Sequence, residues 1–322
     1  MKGIHRIIVQ NKRVRYDFEL RRNITVVRGD SATGKTTLIE MIREYANNGA
    51  SSSIELICDK ACFILDGSTW QGQLAVMKDS IVFIDEGNSF ILTNEFASSI
   101  QKTDNYYVIV TRESLPNLPY SVEEIYGIRL SGKYGHLKQV YNEFYQLYGK
   151  QHPLEEIRPD ILMSEDSNSG YQFFSGVVSD DIICISANGK SNILTKLKTC
   201  TPDKLILVIA DGAAFGPEMN RITLYMHENN NIRLFLPESF EWLILDSGLI
   251  NSSELTKILT SPSDYIESSE YFSWERFFTH LLIDLTKDNH LQYSKSKLNA
   301  SYLSNNVKNL IIRGISNIQL TI

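Results

Sequence analysis

Nowhere in the 322 residues does an apolar run approach the ~18–20 residues that a membrane-spanning helix needs. The amino terminus, Met1-Lys2-Gly3-Ile4-His5-Arg6, also lacks the apolar stretch of a secretory signal. Both absences lead to the expectation of a cytoplasmic chain with no membrane partner. Cysteine is scarce, with four residues at Cys58, Cys62, Cys184 and Cys200. Only the first two lie close together and no histidine pair completes a zinc set, so reduced, buried thiols are expected. Positive charge is short as well: the formal net charge of −6 argues against a general nucleic-acid coat protein. Residues 1–22 and the last forty or so are locally basic, which solvated surface lysines explain as well as a binding face does. The remainder is ordinary for a globular chain, 43% hydrophobic and 22% charged, with length for two domains of ~150 residues each.

Gly29-Asp30-Ser31-Ala32-Thr33-Gly34-Lys35-Thr36 fits the phosphate-binding pattern G-x-x-x-x-G-K-[ST] without a mismatch. Ile24-Thr25-Val26-Val27-Arg28 before it reads as a buried strand, and Thr37-Leu38-Ile39-Glu40-Met41-Ile42 after it begins a helical pattern. Glycines let the backbone curl so that several N–H groups face one anion, and the helix N-terminus adds partial positive charge. Residues 29–37 are therefore the expected nucleotide contacts. Lys35 would reach the outer phosphates and the Thr36 hydroxyl would ligate magnesium. No G-K-x-D guanine-reading motif is evident, so the expected ligand is ATP with Mg2+.

Ile81-Val82-Phe83-Ile84-Asp85-Glu86 is a continuous apolar run ending in two acids, as suits a central parallel strand covered on both faces. Its acids would emerge at the edge where open α/β sheets bind ligands. The run resembles the Walker B element of P-loop ATPases. By that resemblance Asp85 holds magnesium through water and Glu86 polarises the attacking water. Tyr106-Tyr107-Val108-Ile109-Val110-Thr111-Arg112 is a similar strand, offering Thr111 to the γ-phosphate and Arg112 to phosphate charge. Ile54 to Cys58 and Tyr126 to Leu130 complete an expected five-stranded sheet. Ile4 to Val9 and Val14 to Leu20 read as the hairpin that precedes the phosphate loop in ABC-type ATPases. The Leu-Ser-Gly-Gly signature of that type is missing, since Leu130-Ser131-Gly132-Lys133 follows the acids and lacks the second glycine. Phosphoryl transfer depends chiefly on positioning and charge neutralisation. The resemblance to P-loop ATPases further implies a homo-oligomer or partner subunit that completes the ATP site.

Pro153 and Pro159 break the pattern, placing a boundary near residue 152. Beyond it, four apolar runs alternate with helical segments, which implies a second parallel sheet. The first run ends at Glu165-Asp166, the second at Asn188-Gly189-Lys190-Ser191, the third at Asp211, and the fourth is Asn231 to Pro237. Acids after the first and third strands resemble the Toprim domain over residues 158–245. In that family a glutamate and a D-x-D hold magnesium for phosphodiester chemistry. The resemblance assigns Glu165 and Asp211 to magnesium, with Glu238 or Glu241 supplying a further carboxylate. Ala213 stands where the second aspartate belongs, and Asp166 replaces the usual glycine.

The expected architecture is thus α/β: a P-loop ATPase domain over 1–151, a smaller Toprim-like domain over 152–261 and a helical extension over 262–322. In the extension, Tyr265, Tyr271, Phe272, Trp274, Phe277, Phe278, Leu281 and Leu282 lie at helical spacing and read as core. An ATPase followed by a Toprim-like domain is similar to anti-phage nucleases of the overcoming-lysogenization-defect and Gabija type. That resemblance implies an ATP-regulated, Mg-dependent hydrolase acting on nucleic acid in antiviral defence. The alternative is a nucleotide-driven switch whose second half binds a protein partner or a phosphorylated ligand.

Overall fold

A computed structural model describes residues 1–29, 33–131, 139–149 and 151–321. The chain divides into two compact units, Met1–Gly149 with Ser261–Phe272, and Lys150–Thr260 with Ser273–Ile322. Each is a mixed α/β body. Among the described residues, no helix is long and apolar enough to cross a membrane.

In the first unit β1 (His5–Gln10) and β2 (Val14–Leu20) pair antiparallel. Their turn is held by Asn11, whose Oδ1 accepts from the Arg13 and Val14 amides. There follow β3 (Ile24–Val27), α1 (Lys35–Asn48), β4 (Glu55–Ile57), β5 (Ala61–Ile64), α2 (Trp70–Val76) and β6 (Ser80–Ile84). Then come α3 (Asn94–Ile100), β7 (Tyr106–Val110), β8 (Ile125–Leu130) and β9 (Val140–Gln146). All nine strands form one sheet in the order β4-β1-β2-β9-β8-β3-β7-β6-β5. Its centre, β8-β3-β7-β6-β5, is parallel, and every residue of β3, β6 and β7 is buried. Leu38, Ile39 and Ile42 of α1 close over Val27, Phe83 and Val108 in the core. These strands hold no charged side chain, and the acids and the glycine loop follow their C-terminal ends.

Two expectations about this sheet are corrected. It has nine strands rather than five, and Ile54 to Cys58 does not join the parallel set. That segment becomes β4, antiparallel to β1 at the far edge, while Ala61–Ile64 takes the place beside β6. β5, Ala61-Cys62-Phe63-Ile64, is a continuous apolar run, but at the edge of the sheet it buries only Cys62 and leaves Ala61 and Phe63 exposed. Only residues 58–60 join the two edge strands, which forces the sheet to curl until its edges come within ~14 Å. The expected extension over 262–322 is also not one body. Ser261–Phe272 belongs to the first unit, tied there by Gly3 N–H to the Ser263 carbonyl at 2.7 Å and by Asn23 to the Phe272 carbonyl at 2.9 Å.

The second unit carries β10 (Ile161–Ser164), α4 (Ser169–Val177), β11 (Ile183–Ser186), α5 (Ile193–Leu197), β12 (Ile206–Ile209), α6 (Gly216–Glu228) and β13 (Ile232–Phe235). These are followed by α7 (Phe240–Asp246), α8 (Ser253–Thr260), α9 (Trp274–Thr286) and α10 (Asn305–Arg313). The sheet is wholly parallel, in the order β11-β10-β12-β13, as the alternating pattern implied. Phe278 and Leu282 of α9 share a core with Leu162, Leu207, Phe173 and Phe240, so the stripe they belong to is packing surface.

One buried ion pair in the first unit generates a pH test. Glu124 is buried beside Thr25, which donates to it at 3.1 Å, and beside Arg22 at 3.7 Å. Burial raises its carboxyl from 4.5 to about 7, with Arg22 and Thr25 opposing. A carboxyl raised on folding contributes stability in full below the unfolded value and loses it as pH climbs through the folded value. Thermal melts should therefore show wild type weakening between pH 5 and pH 8 by up to ~3 kcal/mol from this group. Glu124→Gln should flatten that loss. An unchanged slope in the variant would contradict the assignment.

Candidate functional site

Two sites emerge, one at the C-terminal edge of each parallel sheet. In the first unit Gly29 and Gly34 adopt φ of 134° and 94°, a region open to glycine and strained for other residues. A Cβ on Gly34 would also stand 2.8 Å from the Tyr16 hydroxyl. That hydroxyl donates to the Gly34 carbonyl at 2.7 Å, so β2 anchors the end of the loop. Lys35 is buried and spans the loop, donating to the Gly29 carbonyl at 2.7 Å and the Thr33 hydroxyl at 3.1 Å. Thr36 and Thr37 are exposed in the first turn of α1, which holds no acid to offset the helix dipole. Asp30, Ser31 and Ala32 lie outside the described residues, as do Gly132 and Lys133.

β7 lies between β3 and β6, so Thr111 stands beside the loop strand and the acids lie one strand further. The Thr111 amide donates to the Val27 carbonyl at 3.1 Å, and its hydroxyl accepts from the Glu113 amide at 3.0 Å. Asp85 Oδ1 accepts from the Glu86 amide at 2.8 Å. Glu86 pairs with Arg112 at 2.7 Å, a largely exposed contact that contributes little stability. Sequence reading missed Arg28. It is buried and donates to the Glu113 carbonyl at 3.1 Å and the Tyr120 hydroxyl at 3.0 Å, tying the start of the glycine loop to the segment after β7.

In the second unit Glu165 follows β10 and Asp211 follows β12, two adjacent parallel strands, so both acids reach one cleft. The Asp211 amide donates to Glu165 Oε2 at 2.9 Å, and Asp211 Oδ1 accepts from the Phe240 amide at 3.1 Å. Glu241 lines the same cleft, whereas Glu238 does not. Ser239 decides between them by capping α7: its hydroxyl accepts from the Trp242 amide at 3.1 Å, which places Glu241 in the first helical turn. Glu241 is 1% exposed, its Oε1 accepts from the Tyr293 hydroxyl at 2.9 Å, and its Oε2 is buried without a hydrogen-bond partner. Asp166 instead caps α4, accepting from the Gly170 and Tyr171 amides at 3.2 and 2.8 Å.

Two more charged groups come from the segment that was expected to form a separate extension. Lys295 pairs with Glu275 of α9 and stands 3.9 Å from Glu241 Oε1. The enclosed space amid these groups is about 20 Å3, room for one water-sized occupant. Burial pushes the Glu165 carboxyl up to about 7, with Glu275 and Asp166 adding to the effect. Burial and then Glu275, Glu165 and Glu241 push Asp211 well above the usual carboxylate range. Burial opposes the charge of Lys295, but Glu241, Glu275 and Asp211 outweigh it and hold the ammonium above its ordinary value.

This crowding of negative charge fits a hard divalent cation, for which carboxylate oxygens are the suitable donors. Among the described residues, no three His, Cys, Asp or Glu side chains converge closely enough to ligate one ion together. Glu165, Asp166, Asp211 and Glu241 are the carboxylates that line the cavity. In the first unit Thr36 and Asp85 are the oxygen donors expected from the sequence. A larger cavity of about 550 Å3 in that unit, floored by Trp70, Leu74 and Met77, involves none of the expected site residues. No family model matches the chain, and no curated protein matches it significantly in sequence.

The Tyr293–Glu241 hydrogen bond is open to direct measurement. Tyr293→Phe should leave the buried carboxylate without its donor and cost ~1–3 kcal/mol in urea denaturation. Adding Glu241→Gln should recover part of the loss. A cost below ~0.5 kcal/mol would mean that the bond is not holding the glutamate.

Proposed function

We propose that the chain is a P-loop ATPase joined to a Toprim-like, Mg-dependent nuclease module, with nucleotide state regulating the second activity. The observation that carries the nuclease reading is the meeting of Glu165, Asp211 and Glu241 in one cleft at the C-terminal edge of a parallel sheet. The ATPase reading is supported by the glycine geometry around Lys35 and by the shared sheet edge of loop, Thr111 and Asp85-Glu86. When ATP binds, Lys35 exchanges the Gly29 carbonyl and Thr33 hydroxyl for the outer phosphates, and Thr36 and Asp85 hold Mg2+. Glu86 then leaves Arg112 to orient water, and Arg112 turns to phosphate charge. A second copy or partner subunit supplies any further cation that this site needs.

In the second unit Glu165 and Asp211 would hold Mg2+, which would supply Lewis-acid activation of a nucleic-acid phosphate. The fusion resembles defence nucleases of the overcoming-lysogenization-defect and Gabija type, and an antiviral role in the cytoplasm follows from that likeness. A second reading, a nucleotide-driven switch with an inactive module that binds a protein or phosphorylated ligand, is favoured by Ala213 and by the lysine among the acids.

Two variants separate the halves. Lys35→Ala should weaken ATP binding by ~30–100-fold in calorimetry, the loss of a charge-assisted phosphate contact. With Mn2+ present, wild type should cleave plasmid or single-stranded DNA or RNA, and Asp211→Asn should not. Intact substrates in every nucleotide state would refute the nuclease and favour the switch.

A further inference from the structure

The ATPase reading leaves the cavity of about 550 Å3 in the first unit without a role. This cavity lies at the edge of the parallel strands opposite the glycine loop. Met77 and Lys78 in its lining stand just before β6, and Lys102 and Asp104 just before β7. The five residues of β6 put ~16 Å between it and Asp85. Its volume falls within the ~300–1,000 Å3 typical of small-molecule sites.

The floor is apolar and firmly packed. Trp70, Leu74 and Met77 are all buried, and the Trp70 ring stacks on Phe90 at 5.2 Å and meets Phe96 edge-on at 5.7 Å. The rim is tied from behind by Asn105, buried between the two strand starts. Its Oδ1 accepts from the Ser80 amide at 3.0 Å, and its Nδ2 donates to the Met77 carbonyl at 2.9 Å. Asp104 Oδ1 accepts from the Asp79 amide at 2.9 Å and so holds a turn in which Asp79 takes a φ of 47°. A cavity whose walls are fixed in advance loses little ordering entropy when a ligand enters.

Charge selects the kind of ligand. The ionisable groups in the lining are Lys78, Lys102 and Asp104, two ammoniums against one carboxylate. Both lysines are exposed and, among the described residues, neither is ion-paired, whereas Asp104 is engaged by the Asp79 amide. Lysine stems are long and flexible enough to bring their ammoniums to an acid group held over an apolar surface. An apolar floor beneath a cationic rim complements a ring that carries an acidic substituent, and it disfavours a cation.

We propose that this cavity is a small-molecule site for an aromatic anion, its ring on Trp70, Leu74 and Met77 and its acidic group between Lys78 and Lys102. The site is separate from the glycine loop and requires no activity in the second unit.

The test is a fluorescence titration of the full-length protein with two probes of nearly the same shape, anionic 1-anilinonaphthalene-8-sulfonate and neutral N-phenyl-1-naphthylamine. Wild type should bind the sulfonate saturably and about tenfold more tightly than the neutral probe, the combined effect of two exposed charge contacts. Lys78→Glu combined with Lys102→Glu should weaken the sulfonate by about tenfold or more and leave the neutral probe within about threefold. Lys78→Arg combined with Lys102→Arg should bind the sulfonate as wild type does. Equal affinity for the two probes in wild type would make the cavity a plain apolar pocket and overturn the proposal, whether or not the variants fold. Sulfonate binding untouched by the charge reversal would put the probe elsewhere, and no saturable binding would leave the cavity without a ligand of this class; either result overturns the proposal too.

Discussion

A parallel strand covered on both faces has no room for a charge. In β3, β6, β7, β10 and β12 every side chain is buried and none is charged, so the first charged group can appear only beyond the end of each strand. The consequence is positional: Gly29 to Thr36, Asp85, Thr111, Glu165 and Asp211 all follow immediately or nearly so on the last buried residue. Parallel pairing then aligns those ends, since Val27 pairs with Val110 and Ser164 with Ile209. Each unit thus gathers its reactive groups along one edge without any single long-range polar contact to direct them.

The two edges differ in sign. The first presents a helix N-terminus with no acid in its first turn and a buried lysine turned back onto its own loop, an arrangement suited to an anion. The second lines a cavity too small for more than a water-sized occupant with Glu165, Asp166, Asp211 and Glu241, and Lys295 stands among them. Mutual repulsion and burial there keep Glu165 and Asp211 reluctant to ionise, and a divalent cation would reverse that tendency. Phosphate chemistry uses both kinds of site: one to hold a triphosphate and one to hold the metal that activates a phosphodiester.

How much of this could be read in the sequence follows from the same physics. Continuous apolar runs ending in acids are local signals, and they located Glu165, Asp211, Asp85 and the glycine loop. Two strands were missed for different reasons: β5 is a continuous apolar run of only four residues at the sheet edge, and β9 is a mixed polar segment none of whose residues is fully buried. Glu238 and Glu241 could not be told apart by spacing, because the choice depends on the helix cap at Ser239. Glu275 and Lys295 carry no local signature at all. Lys295 lines the cleft and Glu275 pairs with it from α9, whose Phe278 and Leu282 pack into the core of the second unit, and only tertiary packing reveals that.

The account stands most directly on where cations settle. Crystals grown with a non-hydrolysable ATP analogue and Mn2+ should show one anomalous peak between Thr36 and Asp85 and one at Glu165 and Asp211, with Lys295 still on Glu275. A second unit without manganese at Glu165 and Asp211, while the nucleotide site is filled, would contradict the assignment of that cleft to metal-dependent chemistry.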